Sequence, residues 1–287
     1  MTARPDLAQR WHSRGPGAGG GHPAYRLRLS TVLSLGLVTL VGLAAFCWPF
    51  FADPVIGEQH GHDAPWLFAL LLGLLAAVLL AEMTSEGLDA KSVAVLGVLA
   101  AMGGALRTLS AGTAGLEPMF FLVVLGGRVL GASKAFLLGA LAVLTGAFLT
   151  GGVGPWLPFQ MFATGWVGLG AALLPRVGGW LERGLLTVYG LVAGLAFGLV
   201  MNLWFWPFLD AASAPAGAGF IPGDPVVANL QHYGVFYLAT SLGYDLPRGV
   251  LTGVLALLLG GRVLSTLRRA VRKANFDAAP TFTGQPD

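Results

Sequence analysis

The residues able to do chemistry in this chain sit beside long apolar runs. Arg107 and Glu117 flank the loop after one run, and Trp156, Gln160 and Trp166 lie along TGGVGPWLPFQMFATGWVGLGAALLP (150–175). Asn202, Trp204 and Trp206 end another run, and Tyr244, Asp245 and Arg248 open the last. Gln160 is an amide in an oily segment, where leaving it unpaired costs roughly 2–7 kcal/mol. It therefore needs a partner, on a neighbouring helix or on a ligand. Asp245 and Arg248 are three apart and pair readily on one helix face. A charge at membrane depth costs about 2.5–3.5 kcal/mol on insertion scales, so each calls for a partner or a cavity. Tryptophan and tyrosine also anchor helices at the membrane surface, so each aromatic alone has a structural explanation. Polar groups converging from four segments on one side of the membrane point to a small-molecule pocket. A Gly-Gly-Val-Gly turn and Pro155 form its mouth.

Other chemistries find little support. His60, His62 and Asp63 offer metal-ligand types, but spacing of two on a polar loop fits a solvated loop equally. The five histidines (His12, His22, His60, His62 and His232) form no HExxH motif and pair with no intramembrane Ser or Cys nucleophile. No metal site and no cofactor is expected. Cys47 is the single cysteine, so an intrachain disulfide is excluded. There is no G-x-x-x-x-G-K-[ST] phosphate loop, so the chain does not itself couple ATP hydrolysis to movement by that route. An ion-coupled carrier needs acidic residues inside its spans, and the sequence places none mid-span. That favours energy delivered by another subunit.

The elements holding these residues follow from composition. The chain is 55% hydrophobic and 11% charged, with a mean hydropathy of +0.72. These values and apolar runs of about 20 residues indicate an all-α polytopic membrane protein. The net charge of +3 is no nucleic-acid signal, because the cations sit at helix ends. Residues 1–25 read as a disordered tail. Spans are expected at 29–51, 65–81, 91–109, 118–130, 135–149, 158–174, 185–208 and 248–264. GGRVLGASK (126–134) is expected as a turn, and 226–242 as a half-buried surface helix broken by Gly243–Pro247. With eight spans and both ends cytoplasmic, fifteen cations fall inside and only Arg107 and Arg248 outside.

In the third span, Ala90, Ala94, Gly97, Ala101 and Ala105 share one helical face. Such a stripe serves packing within the chain or docking of another subunit's helix. With GGRVLGASKAFLLGA (126–140), the 150–175 segment and SLGYDLPRG (241–249), it resembles the substrate-binding S component of energy-coupling factor (ECF) transporters, in their actinobacterial branch. The resemblance covers about 85–270. It implies a six-helix core preceded by two extra N-terminal transmembrane helices (26–84) and followed by a cytoplasmic tail (271–287). It further implies a cell-membrane protein, not an enzyme, that captures a vitamin from outside, with cobalamin the leading candidate. The five-residue stripe would dock on a transmembrane coupling subunit served by two ATPase subunits. The ligand would lie in the outer half of the later helices, among the polar and aromatic residues named above. An independent secondary transporter and a lipid-directed membrane enzyme are the alternatives.

Overall fold

The computed structural model describes residues 29–47, 50, six positions between 69 and 77, 90–110, 115–209 and 214–274. Its helices are α1 (Leu29–Cys47), α2 (Ala90–Thr108), α3 (Met119–Leu130), α4 (Ala132–Thr150), α5 (Leu157–Leu173), α6 (Gly179–Phe205), α7 (Val226–Phe236) and α8 (Leu242–Ala274). No strand occurs among the described residues. Four helical stretches are long and apolar enough to cross a membrane: α2, α4, α6 and the continuous run Val226–Arg272. Val32–Cys47, α3 and α5 are shorter apolar helices. The chain is thus a helical protein with membrane-spanning segments. Of the run at 65–81 only scattered positions are described, all helical. The tail at 1–25 and the His60, His62, Asp63 loop lie outside the described residues.

Five helices pack around α3, which is buried from Met119 through Gly127. A helix apolar on every side has no face to offer water, so MFFLVVLGG suits a central place, and its packing against the surrounding helices decides for that place over lipid. Helix α4 packs on α2 and α5, and α6 lies along α8. Between α4 and α5 the backbones touch. A Cβ added at Gly139 would overlap the carbonyl of Thr164, and one at Gly168 the carbonyl of Ala135. Small residues permit that approach, and dispersion across it stabilises helix pairs that lipid alone does not drive together.

Three boundaries differ from expectation. The turn read over 126–134 is a single residue, Gly131, with φ of 86°, a conformation suited to glycine. Gly126, Gly127 and Arg128 belong to α3 itself. Helix α6 begins at Gly179, six residues before the expected start at 185. Most consequentially, Gly243–Pro247 does not break the chain. Helix α7 passes through a π-helical turn at Tyr237–Ser241 directly into α8, which contains Pro247. Proline removes one backbone donor and crowds the carbonyl four residues back. Here that residue is Gly243, and the wider π turn lies just upstream.

Beyond α6, a 3₁₀ turn (Trp206–Phe208) opens a second small core of Trp206, Ala218, Tyr233 and Phe236. The Trp206 indole donates to Ala218 O at 2.6 Å. The buried Asn229 amide accepts from Ile221 N at 3.0 Å and donates to Ile221 O at 2.9 Å. These bonds hold 214–225 as an ordered cap.

Gly168→Leu should lower the thermal unfolding midpoint of the detergent-solubilised protein sharply, since overpacking costs about 1–3 kcal/mol or more. Gly97→Leu is the control, because nothing lies within 4 Å of a Cβ there. Equal midpoints for the two variants would refute backbone contact between α4 and α5.

Candidate functional site

The expected site residues fall into distinct groups. The deepest is ionic. Arg248 Nε donates to Glu117 Oε2 at 3.3 Å, and Arg248 Nη1 donates to Asp245 Oδ1. The guanidinium also stacks 4.9 Å from the Phe197 ring centre and 5.4 Å from that of Phe120. Asp245 and Arg248 are buried in α8. They face the middle of α6: a Cβ at Gly198 would overlap the Asp245 carboxylate, and one at Gly194 would meet Gly249 at 2.5 Å. Helix α6 has 27 residues, about 40 Å at 1.5 Å each, and Gly194 lies near its midpoint. The expectation of no acidic residue mid-span is therefore corrected. It depended on a helix break before Arg248, and the continuous helix carries Asp245 into the bundle.

The pairing of Asp245 with Arg248 is as expected, and Glu117 joins it across 131 positions of sequence. One Asp245 oxygen, Oδ2, is buried with no hydrogen-bond partner. The Tyr237 hydroxyl donates to Leu195 O at 3.2 Å.

The second group is Arg107 and Gln160. Arg107 Nη2 donates to Gln160 Oε1 at 2.8 Å, so the partner demanded by that amide is a helix end within the chain. The Arg107 stem lies flat on Gly146, where a Cβ would be 2.6 Å from Cδ. One helical turn before Gln160 stands Trp156, packed edge-on against Trp204 with ring centres 6.4 Å apart. From there an aromatic chain runs inward. Trp204 meets Phe159 at 5.7 Å, Phe159 meets Phe46 at 5.0 Å, and Phe46 meets Trp166 at 5.6 Å. Trp166 borders a cavity of about 160 Å³ between α5 and α6, lined also by Ala163, Tyr189, Val192, Phe197 and Val200. Its lining residues are apolar apart from the Trp166 indole N–H, buried without a partner, and the Tyr189 hydroxyl, which donates to Val167 O at 2.6 Å.

The remaining residues stand apart. Asn202 donates to Ser241 Oγ in the π turn. Trp206 belongs to the cap core. The Tyr244 side chain is exposed, while its backbone carbonyl sits where Gly115, at φ of 81°, leaves space.

Sequence reasoning passed over a second ionic cluster at the opposite end of α3. Glu182, 2% exposed, accepts from Arg128 Nε at 2.8 Å and from Arg268 Nη2 at 2.6 Å. Arg128 also donates to the carbonyls of Leu174 and Pro175, each at 2.8 Å. The span expected at 185–208 left Glu182 outside any helix, whereas the start of α6 at Gly179 places it in the first turn.

The small-residue stripe is unambiguous in one respect. Ala90, Ala94, Gly97, Ala101 and Ala105 are all exposed, while Ser92, Leu96, Leu99, Ala100, Gly103 and Gly104 form the packed face of α2. Packing among the described residues therefore does not cover the stripe.

Comparison with protein-family models, with curated proteins and with solved structures finds no match.

Arg248→Met should be among the most destabilising single changes, because it strands the buried Asp245 carboxylate and the half-buried Glu117, at a cost of about 3–5 kcal/mol. Adding Glu117→Gln and Asp245→Asn should restore most of the unfolding midpoint. A triple variant no more stable than the single one would show that the charges are not coupled.

Proposed function

We propose that this chain is the substrate-binding component of an ECF-type importer. It captures a vitamin-class ligand at the Arg107 end of the bundle and docks through α2 on a coupling subunit driven by two ATPases. The observation that carries this is the exposed stripe on α2, a smooth face of membrane-spanning length in a chain without a nucleotide-binding motif. Small residues allow a second helix to approach closely, so an uncovered stripe fits a helical partner. In this reading both termini are cytoplasmic, the core spans 85–270, and the two helices at 26–84 are additions to it. Drug-sized ligands occupy pockets of about 300–1,000 Å³, and the cavity beside Trp166 is about 160 Å³. A ligand as large as cobalamin therefore requires the cap and the aromatic pair Trp156 and Trp204 to part.

One observation favours a second reading, a gradient-driven carrier. Asp245 and Arg248, joined by Glu117 from the turn before α3, place ionisable groups against the middle of α6, where carriers relay protons or ions. A lone chain reconstituted in liposomes would then accumulate substrate against a gradient.

In cells supplied with a coupling subunit and ATPases, Ala94→Trp and Ala101→Trp should cut uptake of radiolabelled cobalamin or riboflavin at least ~10-fold, since bulk on that face blocks helix approach. Binding of the same vitamin by the purified variants should stay unchanged. Undiminished uptake in both variants would overturn the docking role of α2.

A further inference from the structure

The charges near the Arg107 end do not pair evenly. Two cations and two carboxylates are present, yet Arg248 holds both Glu117 and Asp245. Arg107 is left with a neutral partner, the Gln160 amide oxygen, and no carboxylate lies within ion-pair distance of it among the described residues. A guanidinium carries five N–H donors in a rigid fork suited to carboxylate or phosphate. One is used here. Arg107 is half-buried, and among the described residues its remaining nitrogens have no side-chain acceptor.

Three neighbours make this a formed site rather than a loose surface charge. Gly146 lets the arginine stem lie flat against α4. Gln160 holds one nitrogen at 2.8 Å, which fixes the direction of the fork. Trp156, a turn away on the same face of α5, is partly exposed and braced by Trp204. Its own indole N–H is turned back to Gly152 O at 3.3 Å, so the ring offers a π face rather than a donor. A fork for an oxyanion beside an aromatic surface selects a ligand with an anionic group attached to a ring.

We propose that Arg107 is the oxyanion subsite of this end of the bundle, and that the ligand is a ring-bearing carboxylate or phosphate. This rests on the binding-component reading and adds the charge of the substrate to it. An oxyanion displaces water from the fork, accepts two of its N–H groups, and leaves the bond to Gln160 in place. The same chemistry has a second source in an anionic lipid headgroup, which the experiment separates.

The test uses the purified full chain in neutral detergent and ligand pairs that differ only in the oxyanion: nicotinate with nicotinamide, and flavin mononucleotide with riboflavin. The anionic member of at least one pair should raise the unfolding midpoint while its neutral twin does not. Arg107→Gln should weaken that anion roughly 10- to 100-fold, the range for a lost hydrogen bond to a charged group. Gln160→Glu supplies an internal carboxylate, so it should leave the apo-protein folded and equally abolish the anion effect. Equal shifts from both members of a pair, no shift from any, or an anion effect that survives both variants would overturn the proposal. A shift produced by phosphatidylglycerol in nanodiscs and by no soluble anion would assign the fork to lipid and overturn the soluble-ligand form. Docking variants of α2 report separately, through uptake, on whether the chain serves an importer at all.

Discussion

A charge inside an apolar bundle must be met by its opposite, and the architecture of this protein follows from that requirement. Arg248 collects Glu117 from the start of α3 and Asp245 from its own helix. Glu182 collects Arg128 from the end of α3 and Arg268 from the far part of α8. The buried helix α3 is thereby tied at both ends to the α6 and α8 pair. Removing Arg248 or Glu182, the shared member of each cluster, leaves its partners without their counter-charge, which is far more costly than the pair is stabilising. The two clusters thus specify which helices are neighbours more than they add to net stability.

The glycines complement these ties. Gly198 exists opposite Asp245 because any side chain there would occupy the space of the carboxylate. Gly139 and Gly168 bring α4 and α5 to backbone contact, which seats Gln160 near Arg107. Ionic and steric constraints thus converge on one end of the bundle. That end also carries the Trp156 and Trp204 pair, and the cap built on Trp206 closes the end of α6 nearby. A rigid base with a separately packed cap is an arrangement in which a ligand can enter without unsettling the core. By contrast, the stripe on α2 is uncovered among the described residues, and small residues in a row suit the close approach of another helix or lipid.

Much of this was legible in the residues themselves. Composition and run length dictated a helical membrane protein, because about 20 apolar residues in a row have few other uses. The 3.6-residue period placed Ala90, Ala94, Gly97, Ala101 and Ala105 on one face of α2. Gln160 announced its need for a partner through desolvation cost alone, and the three-residue spacing of Asp245 and Arg248 announced their pairing. None of these conclusions depends on knowing which helix lies beside which.

Neighbours were decided only in three dimensions. That Gln160 answers to Arg107, and that Glu117 answers to Arg248 rather than to Arg107, depends on contacts between residues 53 and 131 positions apart. Local propensity also misjudged Gly243–Pro247, which reads as a break in isolation but is carried within a continuous helix by the π turn before it and the packing of α6 against it. That one difference moves Asp245 from a helix end into the bundle. Spacing along a chain reports what a residue requires, whereas the long-range packing of helices determines which other residue supplies it.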